Sequence, residues 1–340
     1  MRTGLKNGMA ATLVVIGVAL AGCGGDDEQT AAQANDGGKV VKMKIASSSP
    51  ADYFQVKSAQ EFGKRAEELA NGKLKVEVYP DGQLGSAADA VQGLRTGSIE
   101  AYIGSTSSAT ELVPEFEVLD FPYLFESYEH YFKVMDGELG KQMADEARAK
   151  GVDVLEWWAG GVRDVYNNGR PIHAPADMKG MKLRVNESPV YVATFKAFGA
   201  IPTPLDFPEV QLGLQQGVID GAETALTVAV SSKQMESVDY ASLTHHQYTS
   251  AMFAVGQKWF DNLDPEIQQA IETAADEVTP DERKADDQVL ADAVAAFKAA
   301  GKEVVEPDRA AFEAIAAKVR EQFAEKFPPE TFETIASEAP

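Results

Sequence analysis

The sequence predicts an α/β fold divided into two domains, on three grounds. At 340 residues the chain exceeds the size at which a single hydrophobic core usually keeps growing. Its 44% apolar and 25% charged content is that of a chain folded over most of its length. From Lys39 onward, apolar periods of 2 and of 3.6 alternate, strand then helix, which implies right-handed crossovers and a largely parallel sheet.

Residues 40–45 form the first strand. Phe54, Ser58, Phe62, Ala66 and Leu69 then share one helical face, and Asn71-Gly72 stops that helix. Leu74, Val76 and Val78 alternate with Lys73, Lys75 and Glu77 in a strand closed by Pro80-Asp81-Gly82. Residues 87–95 make a helix ended at Gly97, and 99–103 the next strand. A helical region covers 128–150, and 152–158 form a strand that Gly160-Gly161 interrupts. Met181, Leu183 and Val185 alternate with Lys182 and Arg184. Ser188-Pro189 opens a helix, serine as N-cap and proline at the first helical position, and Gly199 ends it. Phe207-Pro208 opens another, ended at Gly217, and 218–220 form a short strand. Residues 251–255 are a late strand. Asp264-Pro265 starts a helix over 266–278. Pro280 lacks an N–H and crowds the preceding turn, so Thr279-Pro280 reads as a fresh cap for a kinked helix running to Ala300. Two alanine-rich helical stretches complete the chain.

The N-terminus precedes this pattern. Residues 1–8 carry Arg2 and Lys6 and no acid, and 9–21 are apolar and small (MAATLVVIGVALA). A basic start, a short apolar run and small residues at a cleavage point describe a secretory signal. The run is shorter than the roughly 20 residues a spanning helix needs. Leu20-Ala21-Gly22-Cys23 resembles a bacterial lipobox, which is cut before a cysteine that then carries lipid. The alternative is an ordinary signal peptide with an incidental cysteine. Residues 24–38 (GGDDEQTAAQANDGG) hold no large apolar residue and read as a solvated tether, able to reach about 45 Å at about 3.3 Å per residue. The expectation is a signal peptide over 1–22, a lipidated Cys23 and tether over 23–38, and a folded body held at the outer face of the cytoplasmic membrane.

Composition also excludes several classes. The net charge of −22 is the wrong sign for a phosphate-neutralising nucleic-acid face, or for long-range attraction to anionic lipid. Cys23 is the single cysteine, so an internal disulfide and a cysteine-rich metal site are ruled out. His130, His173, His245 and His246 do not form a His-Glu-x-x-His pair, and neither a nucleophile elbow nor a phosphate loop is present. Gly160-Gly161 is too little for a dinucleotide fingerprint. No enzymatic activity, metal or cofactor is expected.

The informative constellation begins with Tyr79-Pro80-Asp81-Gly82-Gln83-Leu84-Gly85 and resumes at Trp157-Trp158-Ala159-Gly160-Gly161-Val162-Arg163. It continues through Tyr166-Asn167-Asn168-Gly169-Arg170-Pro171-Ile172 and Met181-Lys182-Leu183-Arg184-Val185. Pro202-Thr203-Pro204, Phe207-Pro208-Glu209-Val210, Leu214-Gln215-Gln216-Gly217 and Asp220-Gly221-Ala222-Glu223-Thr224 follow. Arg184 has a chemical meaning of its own. If its apolar strand neighbours face the core, it lies on the opposite face, where a planar guanidinium matches a carboxylate with two parallel hydrogen bonds.

The ordered series strongly resembles the DctP-type solute-binding proteins of tripartite ATP-independent periplasmic (TRAP) transporters, from about Lys44 to beyond Val255 and more loosely to Phe327. The resemblance implies a periplasmic-binding-protein-like fold: two α/β domains with a ligand cleft between them, crossed at the hinge by strands and a long helix. The expected division is 39–160 plus 250–289, and 161–249 plus 290–340. It implies a monomeric receptor for a small organic acid that hands its ligand to the transporter's membrane subunits. Arg184 matches the main carboxylate ligand and Arg163 a second arginine, whose alternative is an interdomain salt bridge. In the run ending Glu223-Thr224, threonine replaces the family's ligand-binding asparagine, so the ligand set departs from the usual one. Phe207 matches an aromatic that packs over the ligand. Ser48, Ser86 and Ser105 fall near polar contact positions. Trp157 and Trp158 point to opposite strand faces, so at most one of them lines the cleft, and Trp158 is the candidate. A receptor of the same fold serving a sensor is the alternative function.

Overall fold

The computed structural model describes residues 40–339, so the signal, Cys23 and the tether lie outside the described residues. In chain order the elements are β1 (Val41–Ala46), α1 (Phe54–Leu69), β2 (Leu74–Tyr79), α2 (Ala87–Thr96), β3 (Ala101–Ser105), α3 (Tyr128–Met135) and α4 (Glu138–Ala149). Next come β4 (Val152–Asn167), β5 (Lys182–Val185), α5 (Pro189–Ala197), β6 (Ile201–Pro204), α6 (Val210–Gln215), β7 (Gly221–Ala225) and α7 (Leu226–Ser231). The chain ends with β8 (Tyr240–Gly256), α8 (Gln257–Asp261), α9 (Pro265–Ala299), β9 (Glu303–Val305), α10 (Arg309–Gln322) and α11 (Pro329–Ser337).

The strands form one sheet in the order β2-β1-β3-β8-β4-β7-β5-β6, with β9 on β8. Its flanks are parallel, as the strand–helix–strand order predicts, at β1–β2, β1–β3, β5–β6 and β5–β7. The centre is antiparallel, at β3–β8, β8–β4 and β4–β7, which the sequence did not suggest. One lobe is built on β1–β3 and the other on β5–β7, and the long strands β4 and β8 run through both.

Gly160-Gly161 does not interrupt β4. The register against β8 shifts between Ala159 and Val162, so the pair makes a bulge inside a 16-residue strand. A Cβ on Gly161 would lie 2.5 Å from the Ala225 Cβ at φ 86°, and one on Gly160 would lie 2.6 Å from Thr249 Cγ2. Glycine is required there by close approach and, at Gly161, by backbone conformation. The bulge is held from four sides. Tyr53 Oη donates to the Gly160 carbonyl and Gln55 Nε2 to the Ala159 carbonyl; Gly160 N–H donates to Tyr128 Oη and Ala159 N–H to Glu282.

Helix α9 is continuous through Pro280, so Thr279 does not cap a new helix. Its hydroxyl accepts from Trp158 Nε1 at 2.9 Å. The first turns of α9 bury Ile267, Ile271 and Ala274 beside Phe62 and Phe253 in the first lobe. Near its end, Ala293 and Phe297 enter a second core with Tyr166, Ala222 and Leu226. The helix therefore spans both lobes. Gly137 divides the 128–150 region into α3 and α4, residues 218–220 lie outside any strand ahead of β7, and β8 extends upstream to Tyr240. The last helix departs from the expected division. In the 290–340 stretch, α11 packs on the first lobe, where the Ile335 carbonyl lies 2.7 Å from His130 Nε2 and Phe332 meets Phe121 edge to face.

Candidate functional site

A cavity of about 340 Å³ lies where the two lobes meet the bulge of β4, at the small end of ligand-pocket sizes. Ser48, Tyr102, Ser105 and Ser107 line it from the first lobe, and Arg163, Arg184, Asn186, Phe207 and Thr224 from the second.

Arg184 reaches it as strand alternation dictates. Leu183 and Val185 enter a core with Ile172, Met178, Met181 and Phe195, leaving Arg184 on the opposite face. It is 4% exposed, donates Nε to the Leu205 carbonyl at 2.8 Å, and sits with Cζ 5.9 Å from the centre of the Phe207 ring. Among the described residues it forms no ion pair. Burial draws its pKa below the ordinary arginine value, against the pull of Glu223. A buried guanidinium without an ion-pair partner is costly, and an anion entering the cavity would offset that cost.

Arg163 stands beside it with its charge already met. On antiparallel β4 and β7, Val165 pairs with Glu223 and Arg163 with Ala225, making Arg163 and Glu223 diagonal neighbours. Arg163 Nε donates to Glu223 Oε2 at 2.6 Å, and one terminal nitrogen donates to Oε1 and to the Glu223 carbonyl, both at 2.7 Å. The Tyr191 ring covers its Cζ at 5.0 Å. Burial opposes its charge, but Glu223 outweighs this and raises its pKa. Glu223 also accepts from Asn186 N–H at 3.2 Å and lies 3.3 Å from His246 Nε2, whose other ring nitrogen meets the Thr244 hydroxyl at 2.8 Å. Burial alone would raise its pKa; Arg163 and His246 instead push it down to about 2. The salt bridge of Arg163 runs to Glu223 on the neighbouring strand of the same lobe and is not the interdomain bridge foreseen as its alternative, and Arg163 still lines the cavity.

Three sequence candidates do not reach the wall. Glu223 is fully buried behind Arg163, so it orients the arginine instead of facing a ligand. Trp158 is fully buried with Phe253 on the α9 side, and Trp157 packs against Phe116 on the other face. The two indoles do diverge, but both enter cores. Ser86 caps α2, its hydroxyl accepting from Asp89 N–H at 3.0 Å while Asp89 bonds back to it. Ser48, Ser105, Phe207 and Thr224 are on the wall.

Sequence reasoning missed Asn186, Asp206, Tyr102 and Ser107, which the structure adds to the lining. Asn186 and Asp206 each adjoin a residue of the recognised motifs, which was the available signal. Asp120 lies behind Ser107, whose hydroxyl donates to it at 2.6 Å. Burial pushes its carboxyl up to about 7, against the opposing pull of Ser107 and Arg163.

A two-lobed α/β body with an arginine-bearing cavity between the lobes defines the class of periplasmic-type solute receptors. Residues 45–326 match the DctP family, bacterial extracellular solute-binding protein family 7, and the chain belongs to that family. It is 38% identical over 276 residues to a 2,3-diketo-L-gulonate-binding periplasmic protein of Escherichia coli, covering 80% of this chain and 83% of that protein. In structure it resembles a sugar acid binding protein of Advenella mimigardefordensis in complex with galactonate. That likeness has a TM-score of 0.85 at 31% identity and covers 88% of this chain and 98% of the other. A TRAP periplasmic solute binding protein of a Polaromonas species, bound to D-erythronate, has a TM-score of 0.84 at 32% identity over 87% and 98% of the two chains.

Proposed function

We propose that this protein is the extracytoplasmic receptor of a TRAP transporter, binding a small organic carboxylate between its lobes and delivering it, as a monomer, to the membrane subunits. The observation that carries this is Arg184: buried, on the cavity wall, and without an anionic partner among the described residues. The guanidinium fork receives the carboxylate, Arg163 stands beside it with its charge met by Glu223, and Phe207 and Thr224 border the ligand. The named ligands of the relatives above are all sugar acids, which supports that class. The lobes divide at 39–160 plus 250–289 and 161–249 plus 290–322, with α11 returning to the first. A thermal-shift screen against organic acids tests the proposal, because a ligand that binds only the folded state raises stability by RT ln(1 + [L]/Kd). Stabilisation by at least one carboxylate supports it; stabilisation only by neutral or cationic solutes overturns it.

The body is further proposed to hang from the membrane by lipid on Cys23, which follows Leu20-Ala21-Gly22 and is the sole cysteine. At about 0.8 kcal/mol per buried CH₂, more than one acyl chain holds it firmly. Replacing Cys23 with Ser moves the protein from the membrane pellet to the soluble fraction; retention in the pellet contradicts the anchor.

A further inference from the structure

Resting on the organic-carboxylate reading above, we infer that the cavity selects ligands with one carboxylate and a hydroxylated remainder, and that Asp206 rejects a second carboxylate.

The charges on the wall are unequal in a specific way. Of its two cations, Arg163 is neutralised by Glu223, so Arg184 is the one without an ion-pair partner among the described residues. Both arginines come from the β4-β7-β5 side, and the charge of Arg163 lowers the pKa of Arg184, so they form one cationic centre. Against it the wall carries three carboxylates, Glu111, Glu187 and Asp206. A ligand carboxylate seated on Arg184 leaves no cation for another, and its far end meets anions.

Asp206 is the best placed of the three. It lies in the loop that wraps Arg184: the preceding carbonyl, Leu205, accepts the Arg184 Nε, and the following ring, Phe207, covers the guanidinium. Asp206 Oδ1 accepts from Phe207 N–H at 2.9 Å, which fixes the side chain on the wall. Its charge acts on both Arg184 and Tyr102. Tyr102 comes from β3 in the opposite lobe and lines the same cavity as Asp206.

The remainder of the lining is rich in hydroxyls. Ser48, Ser105, Ser107, Thr110 and Thr249 contribute to it. Thr249 is 4% exposed, and its hydroxyl has no hydrogen-bond partner among the described residues. Hydroxyls donate and accept, so they match ligand hydroxyls in either sense. Asp206 and Glu187 only accept, so they match ligand O–H donors and oppose a carboxylate, which is also acceptor-only.

The test uses pairs of acids that differ only by oxidation of the terminal CH₂OH to a carboxylate: galactonate and galactarate, gluconate and glucarate, D-erythronate and meso-tartrate. Calorimetry on the full mature protein should show, in the pair that binds tightest, the monocarboxylate favoured by at least about 10-fold. Asp206→Asn preserves the N-cap, since asparagine caps as well as aspartate, and should lower that ratio at least about threefold. Glu187→Gln, at an exposed side chain, gives a second reading of the ratio in a variant with no folding role. Equal or tighter binding of the dicarboxylate overturns the inference while leaving the organic-carboxylate proposal intact. An unchanged ratio in folded Asp206→Asn removes Asp206 as the determinant. Failure of every acid, in these pairs and in the wider screen, overturns the carboxylate proposal itself, and this inference with it.

Discussion

Replacing Glu223 with Gln tests how the cavity keeps a charged arginine out of water. Glu223 is fully buried and holds Arg163 through two side-chain contacts of 2.6 and 2.7 Å, while Asn186 N–H and His246 complete its shell. Glutamine has nearly the same shape but removes the charge and turns an N–H toward the guanidinium. Breaking a buried pair by removing one partner costs about 3–5 kcal/mol. The titration of Glu223 leads to a similar figure. Its carboxyl lies at about 2 against an ordinary 4.5, and at about 1.4 kcal/mol per tenfold that is about 3 kcal/mol of stability. With about 300 ordered residues contributing about 2.1 cal/mol/K each, Tm at neutral pH should fall by about 5–8 °C. The pH dependence follows from a folded-state pKa that is depressed. The stabilisation is complete above about 4.5, where the unfolded chain's carboxyl is ionised, and is lost as pH falls toward about 2. Unfolding curves of both proteins from about pH 7 down to about pH 3 should therefore converge below about 4.5. A variant as stable as the wild type at neutral pH, or a gap that does not shrink on acidification, would refute the reasoning.

Asp120 carries the opposite sign: with its carboxyl raised to about 7 from an ordinary 3.8, its stabilising protonated form is lost as pH rises through that interval. Asp120→Asn should accordingly be more stable than the wild type by about 1–3 kcal/mol above about pH 7, the gap closing below about pH 4; a variant less stable than the wild type at pH 8 contradicts this. Gly161→Ala combines a left-handed backbone with a 2.5 Å approach to Ala225, and should cost about 2–4 kcal/mol in chemical denaturation. A loss below about 0.5 kcal/mol would mean that the bulge relaxes freely.

Much of the fold was legible because its signals are local. The period-2 alternation through Met181, Leu183 and Val185 put Arg184 on the far face of its strand, whereas Ser86 was placed near the ligand although Ser86 before Ala87 with Asp89 behind is a complete helix start. Legibility failed where tertiary pairing overrides local chemistry. Gly160-Gly161 looks like a break, yet β8 and β7 on either side carry the strand through it as a bulge. Alternation could not be counted across that bulge, so it could not say which of Trp157 and Trp158 would line the cleft, and both enter cores. The polar first half of β8, with Thr244, His246 and Gln247 buried, lacks an apolar pattern because its residues bond to Glu223 and to the Leu119 carbonyl. Glu223 illustrates a further limit: the motif marks it as belonging to the site, but only the β4–β7 register shows that it faces Arg163. Asn186, Asp206 and Ser107 lie outside regular strands and helices on loops and short turns, where no periodicity indicates direction.

The central claim is that Arg184 is the ligand's anchor, and the most direct measurement is titration calorimetry of the tightest-binding acid against wild type, Arg184→Lys and Arg184→Ala. Truncation strips a buried carboxylate of its partner, at about 2–5 kcal/mol, so affinity should fall about 30-fold to several-thousand-fold. Lysine, a point charge in place of a planar fork, should bind more weakly than the wild type. Circular dichroism should show both variants folded, because the guanidinium faces the cavity and, among the described residues, its one hydrogen bond is to the Leu205 carbonyl. Near-wild-type affinity in a folded Arg184→Ala would contradict the claim and leave Arg163 as the anchor.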